Sequence, residues 1–506
     1  MVGVAGVVWW TGGAPEVEPP AELEPAPAAD HPDVIFLMWD TVRADRLSAY
    51  GHQRPTTPNL ERLAEGARLY ERAQSPAMWT VPAHASMFTG LSVPTHGARV
   101  GWLWLDGHHL TLAEHFAASG YATVAWSANP YLSPATNLLQ GFDEVRLTWM
   151  GEDAAPCAAA TRSKLLPDDA SVAIAPAYAG DSEGWEEHLT LGKDCAQRGT
   201  EALLDLLDSH DEPVFAYVNL LEAHHPRVPS LGSRQAVLTE ELLHRGLATD
   251  GSLRRLMGAM EGKDSFSPDE LEALFGVYDA SIRDLDDALG ELLDGLEARH
   301  ALDDTIIVVV GDHGEHLGED GMFDHRWSVH QALLHVPLVV HAPGLTGERV
   351  TEPVSTMGLY GTLPALAGLP APSASAPSLD DRGPVYSALV APTPRIPEVM
   401  ATWPDLPPNR WKVKLGAVVD GPLKLVRSDR GAEVLFDVVA DPMQTVPLDR
   451  PDDAKRLGAL LAAWRKAEPR YDKSLRTPDD RPGRPMEQDA ATREQLEALG
   501  YFTEDP

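Results

Sequence analysis

The sequence predicts an α/β fold: a large mixed, mostly parallel sheet flanked by helices, followed by a small C-terminal antiparallel α+β subdomain. Three observations predict it. Apolar runs such as Val34-Ile35-Phe36-Leu37-Met38-Trp39 and Ile306-Ile307-Val308-Val309-Val310 have the unbroken hydrophobicity of strands buried on both faces. Segments with helical spacing alternate with such runs, as parallel crossovers require. Towards the C-terminus the runs at residues 413–419, 423–427 and 434–439 alternate in polarity, as antiparallel strands with one solvated face do.

Residues 1–30 are set apart by composition. The apolar stretch Val2-Gly3-Val4-Ala5-Gly6-Val7-Val8-Trp9-Trp10 is too short to span a bilayer and lacks the Lys or Arg of a signal peptide. The Pro-, Ala- and Glu-rich tract that follows reads as an extended linker. An apolar N-terminus on an acidic tether points to export, whether periplasmic, membrane-tethered or extracellular; a disordered tail without an address is the alternative.

The main domain spans residues 31–385. Its strands are expected at 34–39, 123–127, 214–220, 305–310 and 336–341, with helical spacing at 110–119 and 271–299. In the last of these Tyr278, Ile282, Leu285, Leu289, Leu292, Leu293 and Leu296 form one apolar stripe, so this helix is scaffold. Residues 149–199 read as an insertion rich in Ala, Asp and Pro, and they contain both cysteines, Cys157 and Cys195. Either one disulfide closes a long surface loop, as in an oxidising compartment, or two thiols are separately buried. The Pro-rich residues 370–384 lead to the C-terminal subdomain, residues 386–506, with a helix near 454–467.

A net charge of −35 argues against nucleic acid as partner and against adsorption to anionic membranes. It also repels anionic substrates at long range, so a site for such a substrate needs local positive charge, most simply a metal ion.

Three stretches carry candidate chemistry. Asp40 ends the first apolar run, and Asp312-His313-Gly314-Glu315 ends the run at 305–310. Both lie at strand carboxyl ends, where open α/β sheets place their sites. The third is Met78-Trp79-Thr80-Val81-Pro82-Ala83-His84. Pro82 fits the first turn of a helix, which puts Thr80 at a helix N-terminus that favours negative charge. Thr80 is there either an ordinary N-cap or a nucleophile for anionic esters.

The order Asp40, Thr80-x-Pro-x-His84…Thr89-Gly90, Asp312-His313-Gly314-Glu315 resembles the sulfatases of the alkaline phosphatase superfamily. Supporting segments are Arg54-Pro55-Thr56-Thr57-Pro58-Asn59-Leu60, His335-Val336-Pro337-Leu338 and the C-terminal Leu499-Gly500-Tyr501. The resemblance implies a metal shell of Asp40, Thr80, Asp312 and His313 around one divalent ion. Ca²⁺ is the first expectation, with Mg²⁺, Mn²⁺ or Zn²⁺ admitted by the imidazole. Thr41 stands where the family usually has a second Asp.

Thr80 occupies the place of the family's Cys or Ser that becomes formylglycine. Thr cannot be converted, so no formylglycine is expected, and His84 replaces the motif's Arg. A sulfated Thr has no second hydroxyl with which to eject sulfate, so turnover needs an attacking water. This resembles the phosphodiesterase and phosphoethanolamine-transferase branches of the superfamily. His84 orients or deprotonates Thr80, holds a substrate oxygen, or is structural.

By the same resemblance His224, in Glu222-Ala223-His224-His225-Pro226, contacts the sulfuryl or phosphoryl group, and His325, in Phe323-Asp324-His325-Arg326, protonates the leaving group. A plain surface His is the alternative for each. Arg43 and Arg326 are either anion contacts or solvent salt bridges. The implied activity is metal-dependent hydrolysis of sulfate esters with Thr80 as nucleophile. Its rivals are a phosphodiesterase, phosphomonoesterase or phosphoryl-group transferase, and a degenerate protein that binds without turnover. The implied partner is an anionic ester, a sulfated or phosphorylated small molecule or glycan.

Overall fold

The computed structural model describes residues 31–165, 192–325, 327–390, 413–477, 480 and 490–498. The expected N-terminal tether, Arg326 and the segment at 499–501 lie outside the described residues.

Eight strands form the main sheet: β1 (Val34–Trp39), β2 (Arg68–Tyr70), β3 (Ala122–Ser127), β4 (Glu144–Leu147), β5 (Val214–Leu220), β6 (Ile306–Val310), β7 (Leu338–His341) and β8 (Glu348–Val350). Their order is β8-β2-β7-β6-β1-β5-β3-β4. β1 is central and pairs in parallel with β5 and β6, while β7 runs antiparallel to β6 and β2. β7 starts two residues later than the hydrophobic run suggests because Pro337, just before it, has no N–H for the ladder.

Successive residues of β1 face opposite layers, as a period of two requires. Val34, Phe36 and Met38 pack in one core cluster, and Ile35, Leu37 and Trp39 in the other. The first layer contains helix α1 (Thr80–Thr89), all ten residues of which are buried, and α2 (Leu112–Ala118). The insertion contributes α3 (Ala154–Leu165) and is followed by α4 (Ala196–Ser209). The short α5 (Leu253–Met260) precedes the 31-residue α6 (Pro268–Ala298). The expected apolar stripe of α6 is buried in the second layer, from Tyr278 to Leu296. It begins three residues earlier than expected because Ser267 and Glu270 form a reciprocal capping box ahead of the stripe.

Cys157 of α3 is bonded to Cys195, the residue capping α4, so the two cysteines form one disulfide across 38 residues. The C-terminal sheet is antiparallel, with strands β9 (Val385–Leu389), β10 (Leu415–Asp420), β11 (Leu423–Ser428) and β12 (Glu433–Asp437), and it carries α7 (Pro451–Ala467). Its edge strand reaches the main domain close to the start of α1: Ser387 Oγ donates to the Ser75 carbonyl (2.7 Å) and Ala388 N–H to that of Pro76 (3.0 Å). Among the described residues no helix is long and apolar enough to cross a membrane.

Candidate active site

The carboxyl ends of β1, β3, β5 and β6 converge with the N-terminus of α1. Asp40 follows β1 directly. The next residue, Thr41, has φ +60°, a strained conformation for a β-branched side chain. Its hydrogen bonds hold it there: Thr41 N–H donates to Asp312 Oδ1 (3.1 Å), its hydroxyl to the Asp40 carbonyl (2.7 Å), and Tyr278 OH to its own carbonyl (2.6 Å). Thr41 thus serves through its backbone, at the position where the family resemblance leads one to expect a second Asp.

Thr80 is not an N-cap. Trp79 occupies that position, and Thr80 is the first helical residue, its hydroxyl turned into the site. The Thr80 Oγ lies 3.4 Å from Asn129 Nδ2 and 3.5 Å from His313 Nε2. Asn129 Nδ2 also donates to Asp40 Oδ2 (2.8 Å), which takes a longer bond from Asn219 Nδ2 (3.3 Å). Neither asparagine was apparent from the sequence. Asn129 stands two residues past the end of β3 in Ser127-Ala128-Asn129-Pro130, and that strand-end position was the available signal.

Asp40, Asp312 and His313 are fully buried, and one ligand atom from each lies within 4.8 Å of the others. Burial and the neighbouring Asp312 push the Asp40 carboxyl up to about 7. Burial also works against the charge of Asp312, but the adjacent His313 holds it down to about 2, and Asp312 in turn raises His313 to about 9 against its own burial. His313 Nδ1–H donates to the Gly314 carbonyl (2.9 Å), which aims Nε2 at the carboxylates. Asp40 Oδ1 and Asp312 Oδ2 are buried without a hydrogen-bond partner. Two orphaned carboxylate oxygens, an aimed imidazole nitrogen and a hydroxyl are a donor set that fits one divalent cation.

The other expected residues take distinct places. His84 lies beneath Thr80: its Nδ1–H donates to the Thr80 carbonyl (2.8 Å), and its Nε2 accepts from Tyr217 OH (2.7 Å). Burial lowers its pKa, so it is neutral and meets Thr80 through the backbone and not the hydroxyl. His325 stands 4.5 Å from His313 and 5.3 Å from His224, ring centre to ring centre. His224 donates from Nδ1 to the His225 carbonyl (2.6 Å), and burial together with His325 holds it well below the usual range. A cavity of about 20 Å³, room for one water, lies among His224, Arg227, Glu315 and Asp324 and is backed by Leu256 and Phe323. Arg43 is buried and bonded to Asp45, Glu319 and the Glu315 carbonyl, which makes it a brace between strand ends.

A family model described as Sulfatase matches residues 32–369. The chain belongs to the sulfatase family. It is 24% identical over 434 residues to the ulvan-active sulfatase of Formosa agariphila, covering 82% of this chain and 76% of that protein. Among solved structures it resembles the phosphonate monoester hydrolase of Agrobacterium radiobacter, with a TM-score of 0.64, 21% identity, and coverage of 87% of this chain and 96% of that one. It also resembles a protein solved with D-glucosamine-2-N,6-O-disulfate, with a TM-score of 0.63, 16% identity, and coverage of 86% and 98%. The chain is therefore a hydrolase of sulfate or phosphate esters with the alkaline phosphatase-like fold, in a family whose members bind a divalent metal.

Proposed function

We propose that this protein is a metal-dependent hydrolase of sulfate esters in which Thr80 is the nucleophile. The observation that carries the reading is the convergence of the Thr80 hydroxyl with Asp40, Asp312 and His313, two of whose carboxylate oxygens lack a hydrogen-bond partner. These four residues would hold one divalent cation, Ca²⁺ by the oxygen-rich donor set, and its charge would lower the pKa of the Thr80 hydroxyl and favour anion binding.

The chain's own residues account for the remaining steps. The Thr80 oxygen, aimed by Asn129 and having given up its hydroxyl proton to solvent, attacks sulfur as the bond to the leaving oxygen breaks. His325, beside the site, delivers a proton to that oxygen. His224 approaches the anion's outer oxygens and takes up a proton as the anion arrives, since a neighbouring negative charge favours the imidazolium. A water on the His224–Glu315 side then attacks the sulfated Thr80 and gives its proton to the now neutral His325, which restores both groups.

Phosphate-ester hydrolysis on the same residues is the second reading. It is favoured by Thr80 itself, because a threonine ester must be cleaved by water in either case and cannot use the formylglycine route. The buried, bonded Cys157–Cys195 pair supports an exported protein. The test is turnover of 4-nitrophenyl sulfate and 4-nitrophenyl phosphate by metal-loaded protein and by Thr80→Ala. Loss of the productive activity in the variant, with metal still bound, supports the reading; retained activity refutes it.

A further inference from the structure

The last residue of Asp312-His313-Gly314-Glu315 has no part in the steps above, yet it is buried and faces two functional groups at once. Glu315 Oε2 accepts from Arg227 NH2 (2.7 Å), and Oε1 lies 3.3 Å from His325 Nδ1. Arg227 is itself fixed: its Nε donates to the Ala223 carbonyl (2.8 Å), and its guanidinium lies over the Tyr278 ring (5.1 Å). The carboxylate is therefore held from behind, and its outer oxygen is presented to one nitrogen of His325. The neighbouring Asp324 Oδ1, 3.0 Å from the same nitrogen, already accepts the backbone N–H of His325 (2.7 Å).

We propose that Glu315 is a positioning residue: anchored by Arg227, it keeps a proton on His325 Nδ1 and so turns Nε2, the nitrogen that exchanges protons with the ester, towards the site. The inference rests on His325 serving as the leaving-group acid. An acid–base imidazole works only if its other nitrogen is held in the correct tautomer, and where a buried carboxylate does this, amide replacement costs up to about 10⁴ in rate. Glu315 and His325 form such a pair, with Arg227 fixing the carboxylate's orientation.

Glu315→Gln inverts the arrangement at constant shape. Arg227 offers only donors, so the amide oxygen turns to Arg227 and the amide NH₂ faces His325 Nδ1, which favours the wrong tautomer. The longer 3.3 Å contact calls for a loss smaller than the limit above, about 10²-fold in kcat/KM for a poor leaving group. The experiment compares phenyl with 4-nitrophenyl esters, as sulfates and phosphates, for the unaltered protein, Glu315→Gln, His325→Ala and the double variant. Histidine ¹⁵N NMR reads the His325 tautomer independently of turnover.

The expected result is a loss concentrated on the phenyl ester in both single variants, no further loss in the double variant, and a shift of the His325 proton from Nδ1 to Nε2 in Glu315→Gln. Equal losses on both esters in Glu315→Gln, or an unchanged tautomer, overturn the assignment of Glu315 even if His325→Ala behaves as expected. A His325→Ala variant without leaving-group dependence removes the acid reading and the Glu315 proposal with it, while leaving the nucleophilic role of Thr80 intact.

Discussion

Asn129→Ala tests how the proposed metal shell is held together. Asn129 Nδ2 bonds Asp40 Oδ2 at 2.8 Å and lies 3.4 Å from the Thr80 oxygen, so the substitution removes the shorter of the two side-chain donors on Asp40. A hydrogen bond to a buried charged group is worth about 1.5–3 kcal/mol, and the loss of such a supporting partner lowers metal affinity about 10- to 100-fold. The direction follows from the charge balance. Burial and Asp312 already disfavour the Asp40 carboxylate, and the two asparagines are among the groups that favour it. Asn219→Ala removes only the 3.3 Å contact and should lower affinity by a smaller factor. Calorimetric titration of metal-stripped protein with CaCl₂, alongside thermal unfolding to confirm an intact fold, reads both variants. Unchanged Ca²⁺ affinity in Asn129→Ala, or a larger loss in Asn219→Ala, would refute the reasoning.

Metal affinity should rise with pH. His313 is raised to about 9 and Asp40 to about 7, so between these values an entering cation displaces the His313 proton, and below 7 it displaces a second from Asp40. Affinity should gain about one decade per pH unit from 7 to 9 and about two per unit below 7, with protons released on binding as measured in buffers of different ionisation enthalpy. A flat profile would contradict the donor set. Replacing both Cys157 and Cys195 by Ser removes a crosslink spanning 38 residues and should lower unfolding free energy by about 3–4 kcal/mol, readable as a reductant-insensitive drop in denaturant midpoint.

Much of this architecture was legible because burial on both faces leaves an unmistakable mark. The runs at 34–39 and 305–310 read as buried strands, and Asp40 and Asp312 were singled out because open α/β sheets place their chemistry at strand carboxyl ends. The antiparallel direction of β7 was not legible, since Leu338-Val339-Val340-His341 is equally compatible with either direction. Asn129 and Asn219 escaped notice for a related reason. Asn219 sits inside the apolar run of β5, and Asn129 lies in a turn whose approach to Asp40 depends on β3 being two strands from β1. The placement of His84 could have been anticipated, because a side chain four residues into a helix naturally meets the carbonyl of Thr80. The burial of Arg43 could not, since its partners Glu315 and Glu319 come some 270 residues later.

The central claim, that Thr80 forms a covalent intermediate, is tested most directly by peptide mass spectrometry. Metal-loaded protein is quenched during turnover of an aryl sulfate and, separately, of an aryl phosphate. The account predicts an adduct confined to the peptide carrying Thr80, absent in Thr80→Ala, for the ester that is turned over. Rapid turnover of either ester by a protein whose Thr80 never carries an adduct, and whose Thr80→Ala variant works as well, would contradict it.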